Sequence, residues 1–260
     1  MAIDETRDRI PCVDLLIEDA GDAGCLAHVP TLPGLCFRAK TVAAAEAAAS
    51  SRIADYIAWL EAEDLTDLTA RTAEVVQTGE ARSVLVEHRP GAPVWESGNA
   101  AVLFSRDLRA LEDDIVRAHL RFVRRVLDRM RDAVAAVPPD ERARRPAPGR
   151  RSIDEMLEHV GNCIWWYCSR IDDELPEPDE PEGQSWFDRI DRLFEAAERY
   201  LLAFPLSVRA EIHVPMRFPT NDPNERWTHT KVCRRQAEHV WAHLNGWPGM
   251  ANVPCKGVVR

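Results

Sequence analysis

The chain has 260 residues, 45% of them hydrophobic and 29% charged, enough for one large domain or two ordinary ones with buried cores. Its formal charge of −10 argues against a general nucleic-acid binder, whose phosphate contacts need a basic surface; ERARRPAPGRR (141–151) is a local basic run. No stretch approaches the roughly 18 consecutive apolar residues of a membrane span, and MAIDETRDRIP lacks a signal-peptide core, so a cytoplasmic protein without a membrane partner is expected.

Before residue 104 the chain shows short extended runs, CVDLLI (12–17), CLAHV (25–29), LCFRA (35–39) and SVLVEH (83–88). Turn signals GDAG, PTLPG and RPGAP punctuate them. One helix interrupts the runs, TVAAAEAAASSRIADYIAWLEAE, capped by Thr41 and carrying Val42, Ala45, Ala49, Ile53, Ile57 and Leu60 at helical spacing. Residues 1–103 therefore read as a small α+β module. Within them, residues 63–103, with VWESGNAAVLF, are expected to complete the sheet or to bridge to the C-terminal half of the chain.

From Asp107 the pattern is helical. The first long helix places Leu108, Leu111, Ile115, Phe122, Val126, Met130, Val134 and Val137 on one stripe and ends at Pro138 and Pro139. The second opens at Ser152 with a Ser-x-x-Glu capping box to Glu155 and runs through EMLEHVGNCIWWYCSRI. An acidic, proline-broken connector, DDELPEPDEPEGQ (172–184), reads as a solvated loop. The third helix, SWFDRIDRLFEAAERYLLAF, presents Trp186, Ile190, Phe194, Ala197, Leu201 and Phe204. After a proline-rich segment, the fourth runs from about Thr228 to Asn245 and stops at Gly246 and Pro248. Residues 104–260 thus read as an all-α, up-and-down four-helix bundle. The seven cysteines include no CxxC pair and read as free thiols.

In QAEHVWAHLNGW (236–247), His239 and His243 lie four apart, one above the other on a helix face. That spacing suits two metal ligands and equally two packed core histidines. His159, on the side of the second helix that carries Met156, Cys163 and Tyr167, would face inward beside the fourth in many bundle geometries. Three imidazoles from two helices match the open three-ligand site of a catalytic metal. His119, on the first helix between Ile115 and Phe122, reads either as a core histidine or as a further ligand or proton shuttle. Cys163, Trp166 and Tyr167 are candidate cavity walls, each with an ordinary core alternative. Glu238 projects about 100° away from His239 and reads as outer support or surface. His28, His88, His213 and His229 fall outside this geometry.

RARRPAPGRRSIDEMLEHVGNCIWW and WTHTKVCRRQAEHVWAHL resemble the approach to the second helix and the last helix of the DinB/YfiT-like superfamily. The likeness covers roughly residues 105 to 250. It implies His159, His239 and His243 as ligands of a divalent metal, zinc or nickel first and iron as an option. It also implies a metal-dependent transferase of a low-molecular-weight thiol, or a thiol-dependent isomerase, whose partners are that thiol and a small electrophile. Arg150, Arg151, Arg234 and Arg235 would then be candidates for a cationic rim that holds an acidic thiol, with solvated helix-end arginines as the ordinary alternative for each. A non-catalytic metal- or partner-binding stress-response protein is the alternative from another class. A non-heme iron or hydrolytic metalloenzyme is a second. Ergothioneine-type sulfoxide synthases share the H-x-x-x-H bundle but join it to a large C-terminal domain, whereas this chain ends soon after the fourth helix.

CLAHVPTLPGLCFRAKTVAAAEAAASSRIADYIAWL resembles the HicB-like antitoxin fold, with Leu35 inserted before Cys36 in the usual "PGC" turn. No helix-turn-helix or ribbon-helix-helix is apparent after it. The likeness therefore implies an accessory, dimerising or pocket-covering module and leaves a homodimer as an option.

Overall fold

The computed structural model describes residues 12–69, 82–91, 98–179, 182–220 and 222–246, of which 12–69 and 82–91 belong to one compact unit and the rest to a second. The part of VWESGNAAVLF that precedes Gly98 and the expected stop at Pro248 lie outside the described residues.

The first unit is a four-stranded mixed sheet with a helix on it. Its strands are β1 (Cys12–Asp19), β2 (Cys25–His28), β3 (Cys36–Ala39) and β4 (Arg82–Pro90), and its helix is α1 (Val42–Ala62). The order is β3-β2-β1-β4. β1–β2 and β2–β3 are antiparallel, whereas β1 and β4 run parallel. A parallel pair needs a long crossover, and α1 lies within that connection and packs on all four strands. The tight β1–β2 turn closes through Asp19 Oδ1, which accepts from the Gly21 amide at 2.9 Å. Gly24, at φ +91°, sits where a side chain would meet the Ala39 carbonyl oxygen at 2.8 Å, so only glycine fits there. Thr41 caps α1 by accepting from the Ala44 amide. Ala45, Ala49, Ile53, Ile57 and Leu60 are buried as their spacing requires, while Val42 is half-buried.

The second unit is helical: α2 (Asp113–Ala135), a short α3 (Pro139–Ala143), α4 (Ile153–Cys168), α5 (Trp186–Ala203) and α6 (His229–Gly246). α4 packs on α5 and α6, and α2 packs on α6 and α5. α5 lies against α4 at Gly161, where a Cβ would be in ordinary contact with Ile190 and Leu193 and would displace the end of the Arg189 side chain at 2.9 Å. The capping box at the start of α4 forms in full: the Glu155 amide donates to Ser152 Oγ, and the Ser152 amide donates to Glu155 Oε2.

Two departures from the sequence reading bear on the site. α2 starts at Asp113 rather than Asp107. Carbonyls that would begin that helix are taken by tertiary donors instead. Thr228 Oγ1 donates to the Asp107 oxygen, Thr230 Oγ1 to Arg109 and Arg209 Nη1 to Leu111. Leu108, expected on the apolar stripe, is consequently exposed. The other departure is α6, which is buried on every face from His229 to Trp241 although it carries Lys231, Arg234, Arg235 and Glu238. The segment 98–111 supplies partners for this polar face. Lys231 Nζ, for example, donates to the Ala100 and Arg226 carbonyls and lies 4.3 Å from the Trp227 ring centre.

His229 opens α6 with its Nε2 donating to the Leu201 carbonyl at 2.9 Å and its ring stacked on Phe204. Burial pushes its pKa down to about 4. An unfolded chain takes up that proton near the ordinary value of 6.5, so unfolding binds a proton between these two limits. The contribution to stability is full above pH 6.5 and is lost as pH falls through that window, by about 3 kcal/mol near pH 4. Urea melts at neutral and acidic pH are therefore expected to show a smaller acid loss in His229→Gln than in the parent chain.

Candidate metal centre

α4 and α6 each contribute a pair of side chains one helical turn apart, His159 and Cys163 from the first, His239 and His243 from the second. His239 Nε2 stands 3.1 Å from His159 Nε2 and 3.1 Å from His243 Nε2. The His159 and His243 rings have centres 5.1 Å apart. Donor atoms of His159, Cys163 and His239 also lie within 4.8 Å of one another.

Three imidazole nitrogens this close satisfy one another poorly. His239 Nε2 has either one N–H or one in-plane lone pair and can serve only one of its two neighbours well, whereas a divalent cation would use all three lone pairs together. A tetrahedral centre with metal–nitrogen bonds of about 2.0–2.1 Å has nitrogen–nitrogen edges of about 3.3 Å. The His159–His239 and His239–His243 separations lie close to that value, so these two edges fit a metal of the zinc type.

The electrostatics agree. Burial, followed by the like charge of His243 and His159, holds His239 well below the usual histidine range. Burial, with His159 and Arg151 adding to it, brings His243 to about 4. Both rings are neutral at pH 7, the form in which imidazole ligates. Cys163 is pushed up to about 12 by burial, with Arg151 pulling the other way. His239 is braced by the Tyr167 ring, whose centre is 5.7 Å away in an edge-on arrangement.

Residues 123–245 match the DinB superfamily. The DinB-like part contains all three histidines and Cys163. Residues 1–122 lie outside the match, and the HicB-like resemblance has no counterpart in it. No curated protein and no solved structure matches the chain.

The remaining sequence candidates separate clearly around the three histidines. Arg150 and Arg151 are exposed, and Arg151 acts electrostatically on Cys163, His239 and His243. Arg234 and Arg235, expected on a solvent rim, are instead buried. Arg234 makes a two-pronged ion pair with Asp107 at 2.9 and 2.7 Å and also reaches Glu238. Arg235 bonds Glu238 at 3.4 Å and lays its head in the space left by the missing side chain of Gly98. Both corrections have one cause: the 98–111 segment covers the face of α6 that a bare bundle would show to water. Glu238 is for the same reason interior.

His119 is buried with Nδ1 2.9 Å from the Ile115 carbonyl, and its charged neighbours are Glu238 and Arg234 rather than the three imidazoles. Trp166 packs on Trp227 and Tyr167 and under the Arg170 guanidinium, so of the two aromatic candidates Tyr167 is the one in contact with the His239 ring. Sequence reasoning missed Asp107 altogether, since nothing local marks a loop aspartate as the partner of a helix arginine 127 positions away. Among the described residues, no helix is long and apolar enough to cross a membrane.

Proposed function

We propose that the chain is a metal-dependent transferase that moves a low-molecular-weight thiol onto a small electrophile, with His159, His239 and His243 as ligands in an up-and-down four-helix bundle. The observation that carries this reading is the convergence of three Nε2 atoms from two helices inside the DinB-like part. The α4–α5, α4–α6, α2–α6 and α2–α5 pairings support the bundle.

A divalent cation in this place, held by neutral ligands only, keeps its full charge and lowers the pKa of a thiol or water that joins it. The rest is done by the protein. Tyr167 and the burial of His239 fix the ring that bridges the other two, so the ligands need not reorganise when a substrate arrives. Arg151, exposed beside the centre, supplies positive charge where an acidic thiol would enter.

The test is thiol consumption. Zinc- or nickel-loaded chain should accelerate loss of free glutathione, mycothiol or bacillithiol in the presence of an epoxide, halide or activated alkene, and the metal-free chain should not. Equal rates with and without metal, for every thiol, would overturn the transferase reading. A second reading, a non-catalytic partner-binding protein, draws support from the first unit, where Val84 and Val86 project exposed from the sheet-edge strand β4.

A further inference from the structure

We propose that Cys163 is a built-in fourth ligand of the three-histidine centre, closing it at rest and yielding its place to an entering thiol. This rests on the metal reading above and names how access to that site is regulated.

Position on the helix comes first. Cys163 follows His159 by one turn on α4, as His243 follows His239 on α6, so two facing helices present two i, i+4 donor pairs. Distance comes next. Cys163 Sγ lies beside the His159 ring, 3.7 Å from Nδ1 and 3.8 Å from Nε2, and that Nε2 meets His239 Nε2 at 3.1 Å. Metal–sulfur and metal–nitrogen bonds of about 2.3 and 2.0–2.1 Å give a tetrahedral sulfur–nitrogen edge of about 3.6 Å. The 3.8 Å separation from Nε2 is close to that edge, and donor atoms of Cys163, His159 and His239 all lie within 4.8 Å of one another, so the sulfur is within reach of a centre that these rings would hold. The donor set, three imidazoles and one thiolate, is one that zinc and cobalt accept readily. Cys163 is half-buried, so a small molecule can reach the position that it would vacate.

The exchange balances without a redox partner. Cys163 gives up its bond to the centre and takes the proton that the entering thiol releases, while the entering sulfur forms the bond that Cys163 has broken. Net charge and oxidation states are unchanged. An internal ligand of this kind lowers the apparent affinity for the external thiol by the fraction of chains in the closed form, about tenfold if nine-tenths are closed.

Cobalt substitution of the full chain tests this directly. Parent chain and Cys163→Ser should each bind one cobalt per chain, and the near-ultraviolet thiolate-to-cobalt charge-transfer band should appear in the parent only, before any thiol is added. On titration with glutathione, the serine variant should saturate at about one-tenth of the parent's concentration. Cobalt bound by the parent without that band, or a band that persists in Cys163→Ser, overturns the fourth-ligand proposal and leaves the three-histidine centre standing. No cobalt bound by either chain overturns the metal reading itself. Cys163→Ala serves as a second variant if the serine chain does not fold.

Discussion

Replacing His239 by alanine is expected to strip the metal from the chain: about one equivalent in the parent, none retained by the variant after desalting. His239 is the ring that both other nitrogens approach, so its loss removes one donor and leaves His159 and His243 without the shared neighbour that positions them. The drop in affinity should exceed the roughly 10–100-fold that changes to a ligand's supporting groups cause. Elemental analysis reads the stoichiometry. Thermal melts give a second readout, since metal at a hundredfold above its dissociation constant stabilises a folded chain by about 2.7 kcal/mol and the variant should show no such gain. His119→Ala is the informative control. Its ring belongs to the Ile115, Glu238 and Arg234 neighbourhood, so metal content should be kept. Retention of a full equivalent by His239→Ala, or its loss in His119→Ala alone, would show that the ligands have been misassigned.

The largest effect on stability is expected at Asp107. Its carboxylate takes two donors from Arg234 and the Phe104 amide, all in the interior. Truncating one partner of a buried pair leaves the other charge desolvated and uncompensated, at a cost of about 3–5 kcal/mol. Asp107→Ala should therefore shift the urea midpoint strongly, whereas Asp107→Asn, whose side-chain oxygen still accepts from Arg234, should lose less. If the alanine variant loses less than about 1 kcal/mol, the pair behaves as an exposed one and α6 is not enclosed as described. A destabilised Asp107→Ala chain that still binds one metal would separate the role of the 98–111 segment in enclosing α6 from the role of the ligands.

Both predictions depend on the same feature, the burial of α6 on all sides. On its own the sequence of α6 looks like an amphipathic surface helix, with Lys231, Arg234, Arg235 and Glu238 assigned to solvent by their chemistry. What reverses that assignment is a set of partners far away in the chain: Ala100 for Lys231, Asp107 for Arg234 and Gly98 for Arg235. A buried charge is tolerable when it is paired and hydrogen-bonded, and pairing at such separation leaves no trace in local periodicity.

Sequence alone determined those things whose physical cause is local. Thr41 and Ser152 announce helix starts because their oxygens reach amides three residues on. The apolar run CVDLLI and the turn residues around GDAG define strands and their ends, and the spacing of Ile190, Phe194, Ala197 and Leu201 fixes the inner face of α5. The i, i+4 pairing of His239 with His243, and of His159 with Cys163, follows from helix pitch alone. Tertiary structure decided the rest: that the two pairs face each other with nitrogens 3.1 Å apart, that α2 begins at Asp113, and that two of four expected rim arginines lie inside. Each of these depends on the distance between groups on different elements, set by packing and by hydrogen bonds across some 80 to 130 residues of chain. Helix pitch aligns donors along one face, and the packing of α4 against α6 brings the two faces together.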